Sequence, residues 1–522
     1  MKKYWFHVFQ IRWAPVLLFS AAVLFFSLSA FAQLGAPSGQ SQGTQAAQLP
    51  LSGRTGQNGS VNTTQNTVPG TTSSVNTLNP AIQVQGPFGG SANSTAAMPF
   101  SGKLSLHEAV QRGLQYNLGA VGLAQAVRQA QGASRVARSA LLPNLNGTAS
   151  GTRETEDLKA LGFSFNFPGF SIPTIIGPFN YMDVRAKLTQ TVVDLTAIDN
   201  YRASAEISRA DALSARDARE LVTLAVGGSY LEVIAAKARV ESARAQLDTA
   251  NALYQQALQQ RGVGLLAQVD VNRSQVQALT QQQRLTSLEN DLAKQKINLA
   301  RLTGLPVTDA YEVSDDVPFS AAASLSLDVA LKQALDQRSD LKAAEAQVRA
   351  AERARSAARA ERLPSLSLSA DYGAIGPNPS QLQGTYTVVG TLRVPIWQGG
   401  RAEGDNQEAD AVLNQRRAEL EDLKGQVQAD VHNAYLDLQS AASQVEVSQK
   451  NLQVSRETLG LTRQRFEAGV ADSVEVVQTQ QEVATAELDY INSVFAHNVA
   501  KLSLARAVGG AAANLEQFLK LP

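Results

Sequence analysis

Apolar residues recur every seven positions through the second half of the chain: Val431, Leu438, Val445, Leu452, Leu459 and Phe466 form one row. Ala434, Ala441, Ser448, Ser455 and Thr462 form a parallel row of small residues. A large row facing a small one at heptad spacing is a coiled-coil seam. The first half carries the same pair of rows, Val226, Val233, Val240, Leu247 and Tyr254 beside Ser229, Ala236, Ala243, Ala250 and Ala257. A helix over about 197–261 would be on the order of 100 Å long, far beyond the core of one globular domain. A returning helix over about 269–303 covers roughly half that height, and a preceding helix over about 119–141 nearly completes it.

Elsewhere the period is two. In LPSLSLSADY (363–372), Leu366, Leu368, Ala370 and Tyr372 oppose Ser365, Ser367, Ser369 and Asp371. In TYTVVGTLRV (385–394), Tyr386, Val388, Leu392 and Val394 oppose Thr385, Thr387, Thr391 and Arg393. Val184, Ala186, Leu188 and Val192 oppose Asp183, Arg185, Lys187 and Thr191 in the same way. Alternation over about 10 residues suits a strand crossing an outer membrane, and also a soluble half-buried hairpin. The count favours the first, because the chain offers four strands and no further sheet to pair them. Four strands cannot close a barrel, whose smallest membrane examples have about eight. An open edge in lipid leaves backbone groups unpaired, so a chain that inserts must oligomerise.

These elements come in two copies. LARLTG at 299–304 returns as LARAVG at 504–509, an offset of 205. At that offset Tyr230-Leu231 meets Tyr435-Leu436, Gly264 meets Gly469, and Val269-Asp270-Val271 meets Val474-Glu475-Val476. Further forward, LSLHEAV at 104 matches LSLDVAL at 325, and ARSALLPNL at 137 resembles ARAERLPSL at 358, both 221 apart. The difference, 221 − 205, puts 16 extra residues in the first copy, in the loop around 156–180. The expected organisation is therefore a first repeat over 101–310 and a second over 311–522. Each runs helix, proline stop, two strands, very long helix, Gly-containing turn and returning helix, a mixed α and β fold.

Composition narrows the class. Lys plus Arg and Asp plus Glu both number 46, so charge argues for neither nucleic acid nor an anionic surface. The absence of cysteine excludes disulfides, thiolate metal sites, a cysteine nucleophile and a lipidated cysteine. Lys2, Lys3 and Arg12 precede the apolar run WAPVLLFSAAVLFFSLSAFA, which ends in Ala30-Phe31-Ala32. This reads as a signal peptide over 1–32, with an uncleaved membrane anchor as the alternative. Residues 33–100 are rich in Gly, Ser, Thr, Asn and Gln, and offer too little apolar surface to repay ordering, so a disordered leader is expected. After residue 100 no uninterrupted apolar run reaches the roughly 18 residues of a transmembrane helix. The four histidines, His7, His107, His432 and His497, are scattered, and each reads as a surface or packing residue. No phosphate-binding glycine loop occurs, and no catalytic, metal or cofactor site is expected.

Signal, duplication, long coiled-coil helices and four amphipathic strands together resemble the TolC-like outer-membrane efflux protein family, over about residues 103–510. The most specific pieces are QRGVGLLAQVDV at 260–271, QRFEAGVADSVEVV at 464–477, and the strand starts LPNL and LPSL. The resemblance implies a homotrimer pooling twelve strands into one barrel in outer-membrane lipid and twelve helical columns into a periplasmic tunnel. It implies passive conduction in a tripartite efflux pump or type I secretion system, with a periplasmic adaptor and an inner-membrane transporter as partners. The adaptor would dock at the tips, here Val263, Gly264 and Leu265 and their counterparts Ala468, Gly469 and Val470. A periplasmic gate is implied at Glu475 and Gln478, one helical turn apart. Asp472 and Glu475, spaced D-x-x-E, suit a helix cap equally. The family locks its gate from an aspartate matching Asp270 to a tyrosine and an arginine, whose places here are Phe466 and Ala471. Neither can bond a carboxylate, so either Arg463 or Arg465 substitutes or closure is looser. A surface-attached structural or adhesive coiled-coil protein is the alternative reading, against which the strand pairs count.

Overall fold

The computed structural model describes residues 59–65, 80–92, 100, 102–160, 162, 173–307, 310–315, 317–320, 325–468, 470–512 and 519. The expected signal segment lies outside them. The first half contains β1 (Val61–Gln65), β2 (Pro80–Val84), β3 (Lys103–Leu104), α1 (Leu106–Tyr116), α2 (Leu118–Ser139), β4 (Asn144–Asp157), β5 (Ile175–Val193), α3 (Leu195–Gly262) and α4 (Gln268–Thr303). The second contains β6 (Glu312–Val313), α5 (Leu327–Gln337), α6 (Ser339–Ala360), β7 (Ser365–Gly376), β8 (Gln383–Arg393), α7 (Arg401–Glu467) and α8 (Ser473–Ala507).

Both heptad segments are single helices, α3 of 68 residues and α7 of 67. Their large and small rows are buried as the spacing requires, with Val226, Val233, Ala243, Val431, Ala441 and Val445 all inside. Asp194 starts α3 by accepting from the Ala197 N–H at 3.0 Å. By length and hydropathy one stretch of α3 could cross a membrane, yet 67% of it is buried inside the protein.

The helices stand in four columns. α3 packs against α2 and α4 on one side and α6 and α8 on the other, while α7 packs against α6 and α8. α7 and the α2–α4 column are thus the two ends of the row.

The repeated LAR(L/A)(T/V)G has a geometric cause. Gly304 ends α4 with φ 72°, and Gly509 stands just past α8 with φ 80°. A Cβ on Gly304 would lie 2.8 Å from Tyr116 Cβ, and one on Gly509 would lie 3.2 Å from Arg338 Cα. Each returning helix therefore ends against the break between the two short helices of its repeat, α1–α2 or α5–α6. At this equator Tyr230 is fully buried, and its hydroxyl donates to Leu104 O at 2.9 Å and Asp315 Oδ2 at 3.0 Å.

The leader departs from its expected disorder at 59–65 and 80–92. β1 and β2 pair antiparallel and lie on the first repeat as a strap. Ile82 fits where a Cβ on Gly228 would overlap it, and the Phe88 ring fits where one on Gly119 would. Asn117 Nδ2 donates to Phe88 O at 2.7 Å. The few apolar residues of this polar segment meet sockets shaped for them, so burial per residue is high where the overall composition is poor.

The strands form one antiparallel sheet in the order β4-β5-β7-β8. β5 runs to 19 residues against 11 in its counterpart β8, so part of the insertion in the first repeat lengthens the hairpin rather than its loop.

Candidate functional site

The sheet has two unlike faces. Leu145 stands opposite Leu188, Ala186 opposite Tyr372, and Tyr372 opposite Tyr386, so one face is a continuous apolar surface. It is bare: Tyr372, Tyr386, Val388 and Leu392 are all exposed, Tyr386 at 78%. The opposite face carries Asp183, Arg185, Lys187 and Asp371, with Arg185 bonded to Asp183 at 2.7 Å and Asp371 at 2.8 Å. This is the inside-out arrangement of a lipid-facing barrel wall. Both edge strands, β4 and β8, lack a second neighbour among the described strands.

At the far end of the helices the two turns close alike. The Leu265 N–H donates to Gln260 O at 2.8 Å, and the Val470 N–H to Arg465 O at 2.9 Å, the same bond 205 residues apart. Gly264, at φ 78°, takes the left-handed conformation the turn needs. The side chains beside it project into solvent, Leu265 at 78% exposure, Val263 at 72% and Val470 at 65%. Ala468 caps α7, and Gly469 lies outside the described residues.

The residues expected at the gate come together only in part. Glu475 pairs with Arg465 at 2.5 Å, and its N–H donates to Asp472 Oδ1 at 2.9 Å, so the D-x-x-E spacing is a helix cap as well. Gln478 is exposed one turn further on. Asp270 reaches neither Arg463 nor Arg465: its carboxylate accepts from Arg273 at 2.9 Å and from Ser473 Oγ at 2.8 Å. Arg465 is already committed to Glu475. Phe466 turns inward to line a small void between α3, α4, α7 and α8, and Ala471 is half-buried. Ser473, absent from the expected set, links the two turns. Standing 203 residues from Asp270, it offers no sequence signal.

Higher up, α3 meets the second repeat through buried charge. Arg506 on α8 pairs with Asp217 on α3 at 2.6 Å. Arg338 holds Asp340 at 2.7 Å and Asp430 on α7 at 2.9 Å. Burial pushes the Asp217 carboxyl up to about 6, with Arg506 opposing. His497 on α8 is fully buried beside the Phe319 ring, and burial with the nearby Lys501 charge pulls its imidazole down to about 4.

Residues 120–305 and 330–510 match the sequence pattern of the outer membrane efflux proteins. The chain belongs to the outer membrane efflux protein family. OpmQ, a pyoverdine export outer membrane protein of Pseudomonas aeruginosa, is 27% identical over 393 residues, 74% of this chain and 80% of OpmQ. OprJ, an outer membrane protein of the same organism, is 25% identical over 397 residues, 74% of this chain and 79% of OprJ. The solved structure of the Campylobacter jejuni CmeC outer membrane channel shares the fold at a TM-score of 0.68 and 18% identity, covering 80% of this chain and 89% of CmeC. An efflux protein of this family is a TolC-type outer-membrane channel-tunnel and not an enzyme. Membership of that family counts against the adhesive alternative.

Proposed function

We propose that three copies of this chain close head to tail into a duct that passively carries small organic solutes across the periplasm and outer membrane. The supporting observation is that the protomer is open on matching sides in both layers. In the sheet the open strands are β4 and β8. In the helical layer α4 exposes Val269, Val276 and Leu279, and α7 exposes Leu436, Val447, Val454 and Leu461. Because β8 leads into α7 and β4 follows α2, one rotation joins β8 to β4 and α7 to the α2–α4 column of the next copy. Rotations of this kind make closed rings. Three copies give twelve strands and twelve columns, with no edge left in lipid.

The tips, Val263, Gly264, Leu265, Ala468, Gly469 and Val470, dock the adaptor, and the inner-membrane transporter supplies the energy. Glu475 and Gln478 ring the periplasmic mouth, with Asp270 held by Ser473 and Arg273 in the closed state. Efflux is favoured over protein secretion because the matching family is that of the efflux proteins and the relative OpmQ is named for export of pyoverdine. The mature chain begins at Gln33 and fractionates with the outer membrane as a detergent-resistant trimer. Recovery as a soluble periplasmic monomer would overturn this reading. Replacing Leu265 and Val470 by Asp is expected to leave the trimer intact and abolish solute export in a strain lacking other ducts; unimpaired export would move adaptor docking elsewhere.

A further inference from the structure

Gln480 on α8 is 3% exposed, and neither its Oε1 nor its Nε2 has a hydrogen-bond partner among the described residues. Gln277 Nε2 on α4 is buried in the same condition, as is Gln281 Oε1 one turn further. Turning the Gln480 amide round exchanges oxygen for nitrogen and leaves both atoms unpaired. Buried amides rarely stay so, because each has given up its bonds to water.

Gln277 and Gln480 border the void behind the tips, which has about 20 Å³ of room. A single water needs roughly 10–15 Å³ and two to four polar partners. Ser274 and Ser473 complete the polar wall. Ser473 is engaged with Asp270 and Arg273, whereas the Ser274 hydroxyl donates to Asp270 O at 3.1 Å and has lone pairs left to offer. The remaining wall is small or apolar, including Ala257 and Phe466.

We propose that this void is a buried water site joining α4 to α8. One water accepts from the amides of Gln277 and Gln480 and donates to the Ser274 oxygen, with Gln480 Oε1 as its second acceptor. The joint between the two helical hairpins is thereby held by solvent at the level of the gate. In the duct proposed above, parting the hairpins there exposes amides already solvated, so opening costs less than at an all-apolar joint.

Crystals of the intact oligomer that resolve buried waters test this directly. Wild-type density is expected within about 3.2 Å of the Gln277 and Gln480 amides. Gln480→Met should lose that density and keep the oligomer, and because it leaves the Gln277 amide buried without a partner it should shift the unfolding midpoint downward. A dry void in wild-type maps that show other buried waters overturns the proposal, as does an unchanged or raised midpoint in Gln480→Met. A wild-type protein that never conducts would defeat the duct and leave the density to decide the water site.

Discussion

His497 and Asp217 are both buried in the equatorial helices, and they should tilt stability with pH in opposite directions over almost the same range. His497 is held at about 4 against an ordinary 6.5. Between those values the unfolded chain is protonated while the folded one is not, so stability falls as the medium acidifies. The gap is worth about 3 kcal/mol per chain. Asp217 is held at about 6 against 3.8. There the folded chain takes the proton first, so stability rises by about 3 kcal/mol as pH falls through the same window. Arg506, Arg338, Asp340 and Glu220 surround Asp217, and Lys501 faces His497. In the wild-type protein these two groups therefore pull the pH slope in opposite directions between about pH 6 and 4. His497→Leu unmasks the carboxylate and should grow more stable on acidification. Asp217→Asn should lose stability on acidification; its overall stability is lower because Arg506 loses a partner, but the slope is the quantity read. Urea unfolding of the detergent-solubilised protein, followed by circular dichroism at several pH values, measures both. Two variants that keep the wild-type slope would refute the opposition.

Gly228→Val should expel Ile82, and Gly119→Leu should expel Phe88, whose burial is worth about 2–3 kcal/mol; limited proteolysis should then cut within 59–92 while the helices persist. Glu475→Gln removes an exposed pair with Arg465 worth at most about 1 kcal/mol, so the fold should survive. If three Glu475 carboxylates ring the mouth, cation selectivity and block by multivalent cations should weaken in planar bilayers; unchanged selectivity and block would leave Glu475 as part of a helix cap. Ser473→Ala removes one of the two groups on Asp270, and a rise in open fraction is expected, while an unaltered open fraction would count against Ser473 as a latch.

Much of the fold is legible because its signals are local. The heptad rows of α3 and α7 and the alternation in β5, β7 and β8 repeat within a few residues, and each element lies close to where its period indicated. The duplicated glycines at 304 and 509 mark joints because only glycine tolerates both the left-handed backbone and the neighbour pressed against it. What stayed hidden is carried by pairs far apart in the chain. Asp270 and Ser473, or Asp217 and Arg506, have no spacing to betray them. Gln277 and Gln480 resemble the solvated face of any coiled coil until the fourth helix covers them. The strap was missed because composition averages over 33–100, whereas its docking depends on Ile82 and Phe88 and on two glycines elsewhere.

Those two glycines have no counterparts in the second repeat. Gly119 corresponds to Asp340 and Gly228 to Asn433, so one copy accepts a strap where the other buries an ion pair. The tip turns, by contrast, kept the same closing bond in both copies. Duplication has been allowed to drift at the equator and in the strand hairpins but not at the tips. A ring of three such chains therefore shows a partner six near-equivalent teeth at its mouth but only three-fold symmetry at its waist, and a collar gripping both levels must change its own symmetry between them.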